Sequence, residues 1–406
     1  MAAEQKTYRA RAPHESSSWF KRLLKKIEYG NKFLTMRLLG KLLRITPLDK
    51  PVPLEKVSSV LIIRYDALGD MVVTTPLWRI LKKLKPSIKI GVAGSYKNLD
   101  LLRADTEIDV IYDYSASSMR EFAHLTKETR KRQWDVVIAC NFIDRTRNAI
   151  ISRLSSPTGI TASIGKAGKE GADRLFSRYI VLPETPLPMS MVSKLQYLLR
   201  STIELPASED VRPSLLIDLA IERQVTEAIS TILKQRSAAS YLVINTDATA
   251  IRKWGNKNSI TLANTLSEQF PDKVVFLTAM PDQIVEIQSL LEKATENRVI
   301  IFPTKNIHEL IALIRGASLI ITPDTSIAHI ASAENKPMVG FYPIANDWLP
   351  FKIPSIIILP PHSKQIRDIP IEVAEQAAIK MLTEPVTNSI KIIHCDDLSS
   401  IEEWRF

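Results

Sequence analysis

The chain reads as an α/β protein made of two Rossmann-like domains that face each other across a cleft, preceded by a basic amphipathic helical arm. Three observations point to this. Short β-branched runs alternate with stretches of helical periodicity from Val57 onward, the rhythm of parallel sheets covered on both faces. Proline density rises at 182–188 (LPETPLP) and again at 205–214 (LPASEDVRPS), and beyond these breaks the same rhythm restarts. Finally, 406 residues exceed what a single hydrophobic core holds. The expected division is an arm and linker over 1–56, a first domain over 57–205, a second over 206–385 and a tail over 386–406.

The arm comes first. Residues 1–56 carry thirteen Lys/Arg against five Asp/Glu, which accounts for eight of the ten net positive charges. Within 17–45, Phe20, Leu23, Leu24 and Ile27 form one helical stripe and Leu34, Leu38, Leu42 and Ile45 another, with Gly30-Asn31 as the break between two helices. A basic amphipathic helix beginning at Trp19 and Phe20 suits an anionic membrane surface. It equally suits a helix that packs its apolar stripe on the body. Pro47, Pro51 and Pro53 then mark a linker.

In the first domain, strands are predicted at 60–63, 88–92, 110–112 and 136–139, with helices at 72–85 and 118–132 between them and a further helix at 193–203. Val60 to Lys85 is the organising stretch: an apolar strand, a tight turn at Leu68-Gly69-Asp70, then apolar positions at helical spacing up to Pro86. Such a joint brings Gly69 close to any ligand and sets Asp70 beside unpaired backbone N–H groups. Asp70 suits chemistry there, and it also suits an ordinary helix cap. The second domain carries predicted strands at 241–245, 274–278, 299–302, 319–322 and 338–342, and helices at 216–236, 259–269, 282–293, 307–315 and 326–334. Ile390 to His394 either adds a strand or docks on the surface. In open parallel sheets ligands bind at the carboxyl ends of strands, so site residues are sought there.

Composition narrows the function. With the basic residues concentrated in the arm and no aromatic platforms interleaved with a basic face, nucleic-acid binding is not indicated. Cys140 and Cys395 lie far apart without metal-ligand spacing, which suits a reducing cytoplasm. No apolar run reaches the roughly 18–20 residues that span a bilayer, and the N-terminus lacks a signal-peptide core. Walker A, HExxH, GxSxG and GxGxxG patterns are absent, as is a DxD triplet.

Three stretches then stand together. They are Arg64-Tyr65-Asp66-Ala67-Leu68-Gly69-Asp70 running on to Thr74-Thr75-Pro76; Asn245-Thr246-Asp247 with Arg252-Lys253-Trp254; and Thr322-Pro323-Asp324-Thr325-Ser326-Ile327-Ala328-His329. In this order, over about residues 57–385, the chain resembles the ADP-heptose lipopolysaccharide heptosyltransferases, glycosyltransferases of the two-Rossmann GT-B architecture. The resemblance implies Asp70 as catalytic base. It implies donor contacts from Gly69, Asn245, Asp282, Asp324, Thr325, Ser326 and His329, and from the basic residue before Trp254, which is Arg252 by register with Lys253 as the fallback. Arg145 and Arg147 would meet an acidic, lipid-linked oligosaccharide acceptor, or else simply begin a solvated basic helix. The implied donor is a nucleotide sugar, ADP-heptose, with no metal and no other cofactor, and the place of action is the inner face of the cytoplasmic membrane, reached as a peripheral protein. Ser326 stands where the family usually has Gly, and Ala279-Met280 where a Gly-Gly pair is common. Both departures lie in the donor half, so a relative using another nucleotide sugar in surface polysaccharide assembly is the alternative. A non-catalytic nucleotide- or glycolipid-binding scaffold is the other.

The chemistry fits these residue types. Sugar transfer from a nucleoside diphosphate needs a base for the acceptor hydroxyl and a positive environment for the departing diphosphate. A carboxylate supplies the first, a helix N-terminus and a guanidinium the second.

Overall fold

Two parallel sheets with the same strand order build the molecule, a computed structural model that describes residues 34–41, 45–114, 118–141, 145–165, 172–181, 189–208, 210–249, 251–281, 283–291, 299–362, 365–384, 389–395 and 397–405. The first sheet comprises β2 (Ser59–Ile63), β3 (Lys89–Gly94), β4 (Val110–Asp113), β5 (Val136–Ala139), β6 (Ile160–Gly165) and β7 (Arg178–Val181), in the order β4-β3-β2-β5-β6-β7 and parallel throughout. The second comprises β9 (Ser240–Asn245), β10 (Lys273–Thr278), β11 (Val299–Ile301), β12 (Leu319–Pro323), β13 (Met338–Phe341), β14 (Ser355–Leu359), β15 (Ser389–His394) and β16 (Asp397–Arg405). Its order is β11-β10-β9-β12-β13-β14-β15-β16.

Both therefore contain the doubly wound 3-2-1-4-5-6 arrangement, whose switch point lies between β2 and β5 in one sheet and between β9 and β12 in the other. Buried on both faces, these strands are continuous apolar runs rather than alternating ones: Val60 to Ile63 and Val136 to Ala139 have no exposed surface at all. A short third pairing, β1 (Val52–Pro53) with β8 (Ile203–Glu204), ties the start of the chain to the crossover between domains.

The helices follow the predicted rhythm with three instructive differences. The segment read as one helix over 72–85 is two, α2 (Leu68–Val72) and α3 (Pro76–Leu84). Pro76 has no N–H with which to continue the ladder, and the break between them tucks Thr74 and Thr75 into the interior. Strands β6, β7 and β14 and the helix α4 (Leu99–Arg103) went unread, being short segments, and so did the longer α13 (Ile371–Thr383). In the stretch 386–406, where Ile390 to His394 reads as an added strand or a segment docked on the surface, the structure has β15, parallel to β14, and β16, antiparallel to β15, at the edge of the second sheet.

Helices α5 (Met119–Arg130), α6 (Arg145–Ser155) and α7 (Met191–Thr202) complete the first domain; α8 (Leu219–Gln235), α9 (Asn256–Gln269), α10 (Ile284–Leu291), α11 (Ile307–Gly316) and α12 (Ser326–Ala333) belong to the second. Of the arm, residues 34–41 form helix α1. It rests on Ala139, Ala149, Leu175 and Phe176 through Met36, with Leu39 partly buried. Leu34 and Leu38, on the stripe that suits either a membrane or the body, stay 56% and 59% exposed, while Ile45 of the same stripe packs on the body. The part of the arm before residue 34 lies outside the described residues.

The two halves are locked by polar contacts as well as by a shared apolar core. His308 Nε2 lies 3.0 Å from the Asp100 carbonyl oxygen, and Lys194 pairs with Asp347. The Ser214 N–H donates to Thr75 Oγ1 at 3.1 Å.

Candidate active site

A cavity of about 790 Å³ opens between the carboxyl ends of the two sheets. Its walls come from the β2–α2 turn on one side and, on the other, from the segments following β9, β10, β11, β12 and β13. Concave sites of this size at switch points are where α/β proteins bind ligands.

On the first-domain wall, Asp70 occupies the third position of α2. Its Oδ2 accepts from the Ala67 N–H at 2.9 Å, so it does cap the helix, and its Oδ1 accepts from Arg64 at 2.6 Å. Arg64 follows directly on β2 and is wholly buried. The guanidinium bridges the switch point by donating to the Cys140 carbonyl, which follows β5, and its Nε lies 2.9 Å from Asp66. Burial works against its charge, but Asp66 and Asp70 outweigh that and hold the proton more firmly than usual. Asp66, also on the cavity wall, is pushed up to about 6 by burial and by the neighbouring Asp70, with Arg64 opposing.

The second-domain wall is organised by Asn245, at the end of β9. Its amide donates to Thr322 Oγ1 at 3.0 Å and Thr325 Oγ1 at 3.2 Å across the switch point, and to the Asp247 carbonyl at 2.9 Å. That fixes the turn opening α12, where Thr325 is the N-cap and accepts from the Ile327 N–H at 3.3 Å. The buried His329, one turn on, is pushed down to about 4 by burial, with Asp70 opposing, so its imidazole is neutral at physiological pH. Asp324 is raised by burial, with Arg252 opposing.

Trp254 decides how Arg252 and Lys253 are presented. Its ring is buried against Phe341 at 4.5 Å between centroids, and its N–H donates to the Ile369 carbonyl at 3.0 Å. Gly255, at φ +110°, then turns the chain into α9, a conformation that would strain any other residue. Anchored this way, the preceding turn directs Arg252 at the cavity, where its guanidinium sits 3.2 Å from Asp324. Lys253 points elsewhere, to Gln283 Oε1 at 2.8 Å, and Gln283 in turn donates to Asp247.

The two walls touch. A Cβ added to Gly69 would stand 2.7 Å from the His329 ring and 3.3 Å from the Ser326 Cα, so α2 and α12 approach as closely as they do only because residue 69 has no side chain.

The structure thus assembles Gly69, Asp70, Asn245, Arg252, Asp324, Thr325, Ser326 and His329 around one cavity. Asp282 and the side chain of Arg145 lie outside the described residues. Arg147 is exposed near the start of α6 and does not line the cavity. Sequence reasoning gave no role to Asp66, Asn346 or Trp348, which do line it. Trp348 stands edge-on to His329 at 5.8 Å, with Arg64 5.8 Å from its ring centre. The signal that would have found it is its position in the loop after β13, another carboxyl strand end.

The model of glycosyltransferase family 9 (heptosyltransferase) matches residues 122–347, more than half of the chain. The chain belongs to this family. The transferase is 26% identical over 298 residues to lipopolysaccharide heptosyltransferase 3 of Escherichia coli, covering 68% of this chain and 80% of that one. Its fold is similar to that of a glycosyltransferase family 9 protein from Veillonella parvula DSM 2008, with a TM-score of 0.69 and 16% identity over 84% of this chain and all of that one. It is also similar to the E. coli heptosyltransferase WaaC with ADP, with a TM-score of 0.59 and 16% identity over 78% of this chain and 96% of that one. The architecture is GT-B and the transferase is a glycosyltransferase. Among its described residues no helix is long and apolar enough to cross a membrane.

Proposed function

We propose that this glycosyltransferase moves heptose from ADP-heptose, with inversion, to the lipopolysaccharide core or another lipid-linked glycan at the cytoplasmic membrane face. The observation that carries the reading is the meeting of α2 and α12, with a carboxylate, Asp70, facing the N-terminal turn of a helix and a guanidinium, Arg252, across one cavity. Backbone N–H groups at that turn, with Thr325 and Arg252, suit a diphosphate leaving group. A neutral His329 adds a hydrogen-bonding group without a second cation. Asp70 takes the acceptor hydroxyl proton as the sugar passes through an oxocarbenium-like state, and the acceptor oxygen attacks opposite the departing diphosphate. Relatives support the sugar and the nucleotide: one is a lipopolysaccharide heptosyltransferase, and another was solved with ADP.

Thermal shift with ADP, UDP, GDP and CMP tests the donor. A ligand at a hundredfold excess over its Kd stabilises the fold by about 2.7 kcal/mol, enough to rank the four. Selective stabilisation by ADP is expected. Preference for another nucleotide would favour a different donor, the reading encouraged by Met280, which lines the cavity where the family commonly has Gly. No response to any would favour a non-catalytic scaffold.

The membrane part rests on α1, whose exposed Leu34 and Leu38 neighbour the exposed Arg37 and Lys41. Sedimentation with anionic vesicles should weaken sharply on deletion of residues 1–50; unchanged binding would remove the membrane from the proposal.

A further inference from the structure

The first-domain wall holds two carboxylates and one cation in a single buried cluster. Arg64 donates to Asp70 at 2.6 Å, lies 2.9 Å from Asp66 and gives its remaining arm to the Cys140 carbonyl. Arg64 has no exposed surface, whereas the Asp66 and Asp70 side chains keep 21% and 17% and both line the cavity. With one positive and two negative charges the cluster is net negative, and that excess faces the reacting space.

The arrangement addresses a difficulty in using Asp70 as a base. A backbone N–H holds one Asp70 oxygen and the Arg64 guanidinium holds the other, so both oxygens are engaged before an acceptor arrives. A carboxylate in that state must release one oxygen before it can take a proton. Asp66 supplies the compensation: from the other edge of the same guanidinium it competes for Arg64 and adds a like charge close to Asp70.

We infer that Asp66 is a positioning residue for the transfer reaction, dividing Arg64 between two carboxylates so that an Asp70 oxygen can be released to take the acceptor proton. It touches neither reactant in this role. The charged and titratable groups around the pair are Arg64 beneath both; Lys97, from the turn after β3, and Cys140 toward Asp66; and His329, from the opposite wall, toward Asp70, with Arg252 acting on His329 in turn. His329 is neutral and the Cys140 thiol is pushed up to about 12, so over pH 5–8 the group whose charge changes beside Asp70 is Asp66. As the pH falls through about 6, Asp66 takes up a proton and Arg64 turns wholly to Asp70, occupying the oxygen that would take the acceptor proton.

This inference rests on Asp70 being the base, and the test separates the two. The pH dependence of kcat is measured on the full chain with saturating nucleotide sugar, for the wild type, Asp66→Asn, Asp66→Glu and Asp70→Asn. The wild type should lose rate below about pH 6. In Asp66→Asn that acid limb should move at least one pH unit lower and the plateau should drop about threefold to tenfold, with KM for the donor within twofold. Asp66→Glu should restore the limb. An unmoved limb in Asp66→Asn overturns the inference even if the plateau falls, because a merely structural residue lowers rate without moving a limb. Should Asp66→Asn fail to fold, carbon-detected titration of the aspartate carboxyls in the wild type replaces it. The Asp70 signal is then expected to shift in two steps, the upper one tracking Asp66, and a single step overturns the inference. Substantial turnover in Asp70→Asn would instead remove the base assignment itself.

Discussion

The two domains solve the same architectural problem with opposite chemistry. Each sheet has a gap at its switch point that must be bridged so the flanking turns hold still. In the first domain a buried guanidinium spans it, from β2 to the Cys140 carbonyl after β5. In the second a buried amide spans it, from Asn245 to Thr322 and Thr325. A charged bridge needs carboxylates to balance it in a low-dielectric interior, and so brings Asp66 and Asp70 to the wall that would handle a proton. The neutral bridge needs no compensating acid of its own; on the opposite wall Asp324 is paired with Arg252 and Asp247 accepts from Gln283, so helix N–H groups and Arg252 can present a positive face. One fold, used twice, thereby offers a base on one side and an anion site on the other.

The comparison can be broken most directly at its business end. Asp70→Ala is expected to reduce transfer by about 10²- to 10⁴-fold while leaving nucleotide binding by thermal shift nearly intact; a variant with substantial turnover would take Asp70 out of the mechanism. Next come the bridges themselves. Arg64→Met strands two carboxylates and should cost about 3–5 kcal/mol in denaturant unfolding, whereas Asn245→Ala leaves hydroxyls that can turn to each other and should cost about 1–3 kcal/mol. Equal losses would mean that charge is not what distinguishes them.

Smaller still is the effect at the seam. Gly69→Ala places a methyl against the His329 ring and the Ser326 backbone, so the walls must part by a few tenths of an ångström. Stability should change little, and kcat/KM should fall about tenfold, in line with the sensitivity of catalysis to small misplacements. The pH dependence of stability gives the subtlest readout, since the two walls oppose each other. His329 is held at about 4 against an ordinary 6.5; between these values the unfolded chain binds more protons, so its contribution is lost as pH falls from 6.5 to 4. Asp66 is held at about 6 against 3.8; between these the folded chain binds more protons, so stability is gained as pH falls from 6 to 3.8. Thermal unfolding across pH 4–6.5 should therefore steepen toward acid instability in Asp66→Asn and flatten or reverse in His329→Asn.

Much of this was legible along the chain. Apolar runs such as Val136 to Ala139 and Leu242 to Ile244 are buried strands because their side chains have no hydrogen bonds to give to water; the rule that ligands gather at strand ends said where to look, and the family resemblance picked out Asp70, Asn245, Arg252 and the Asp324–His329 turn. Short segments escaped where local patterns ran out: β14 is an apolar run that gains its partners only in the sheet, and the break before Pro76 splits a pattern that reads as continuous. The 34–41 helix shows the same limit, because a stripe identifies an amphipathic helix but not which side meets the body, and Met36 rather than Leu34 and Leu38 makes the contact.

The sequence by itself determined the two doubly wound halves, their joint and the residue types at each strand end, since periodicity, β-branching and proline act locally. Only tertiary structure decided which of those residues share a site. Arg64, Cys140, Asp66 and Asp70 become one charge cluster because strand order makes β2 and β5 neighbours although 76 residues separate their bridging groups. Gly69 matters because a helix from the other domain, more than 250 residues along the chain, comes to rest against it. Electrostatics and close packing depend on distance in space, and sequence separation does not encode it.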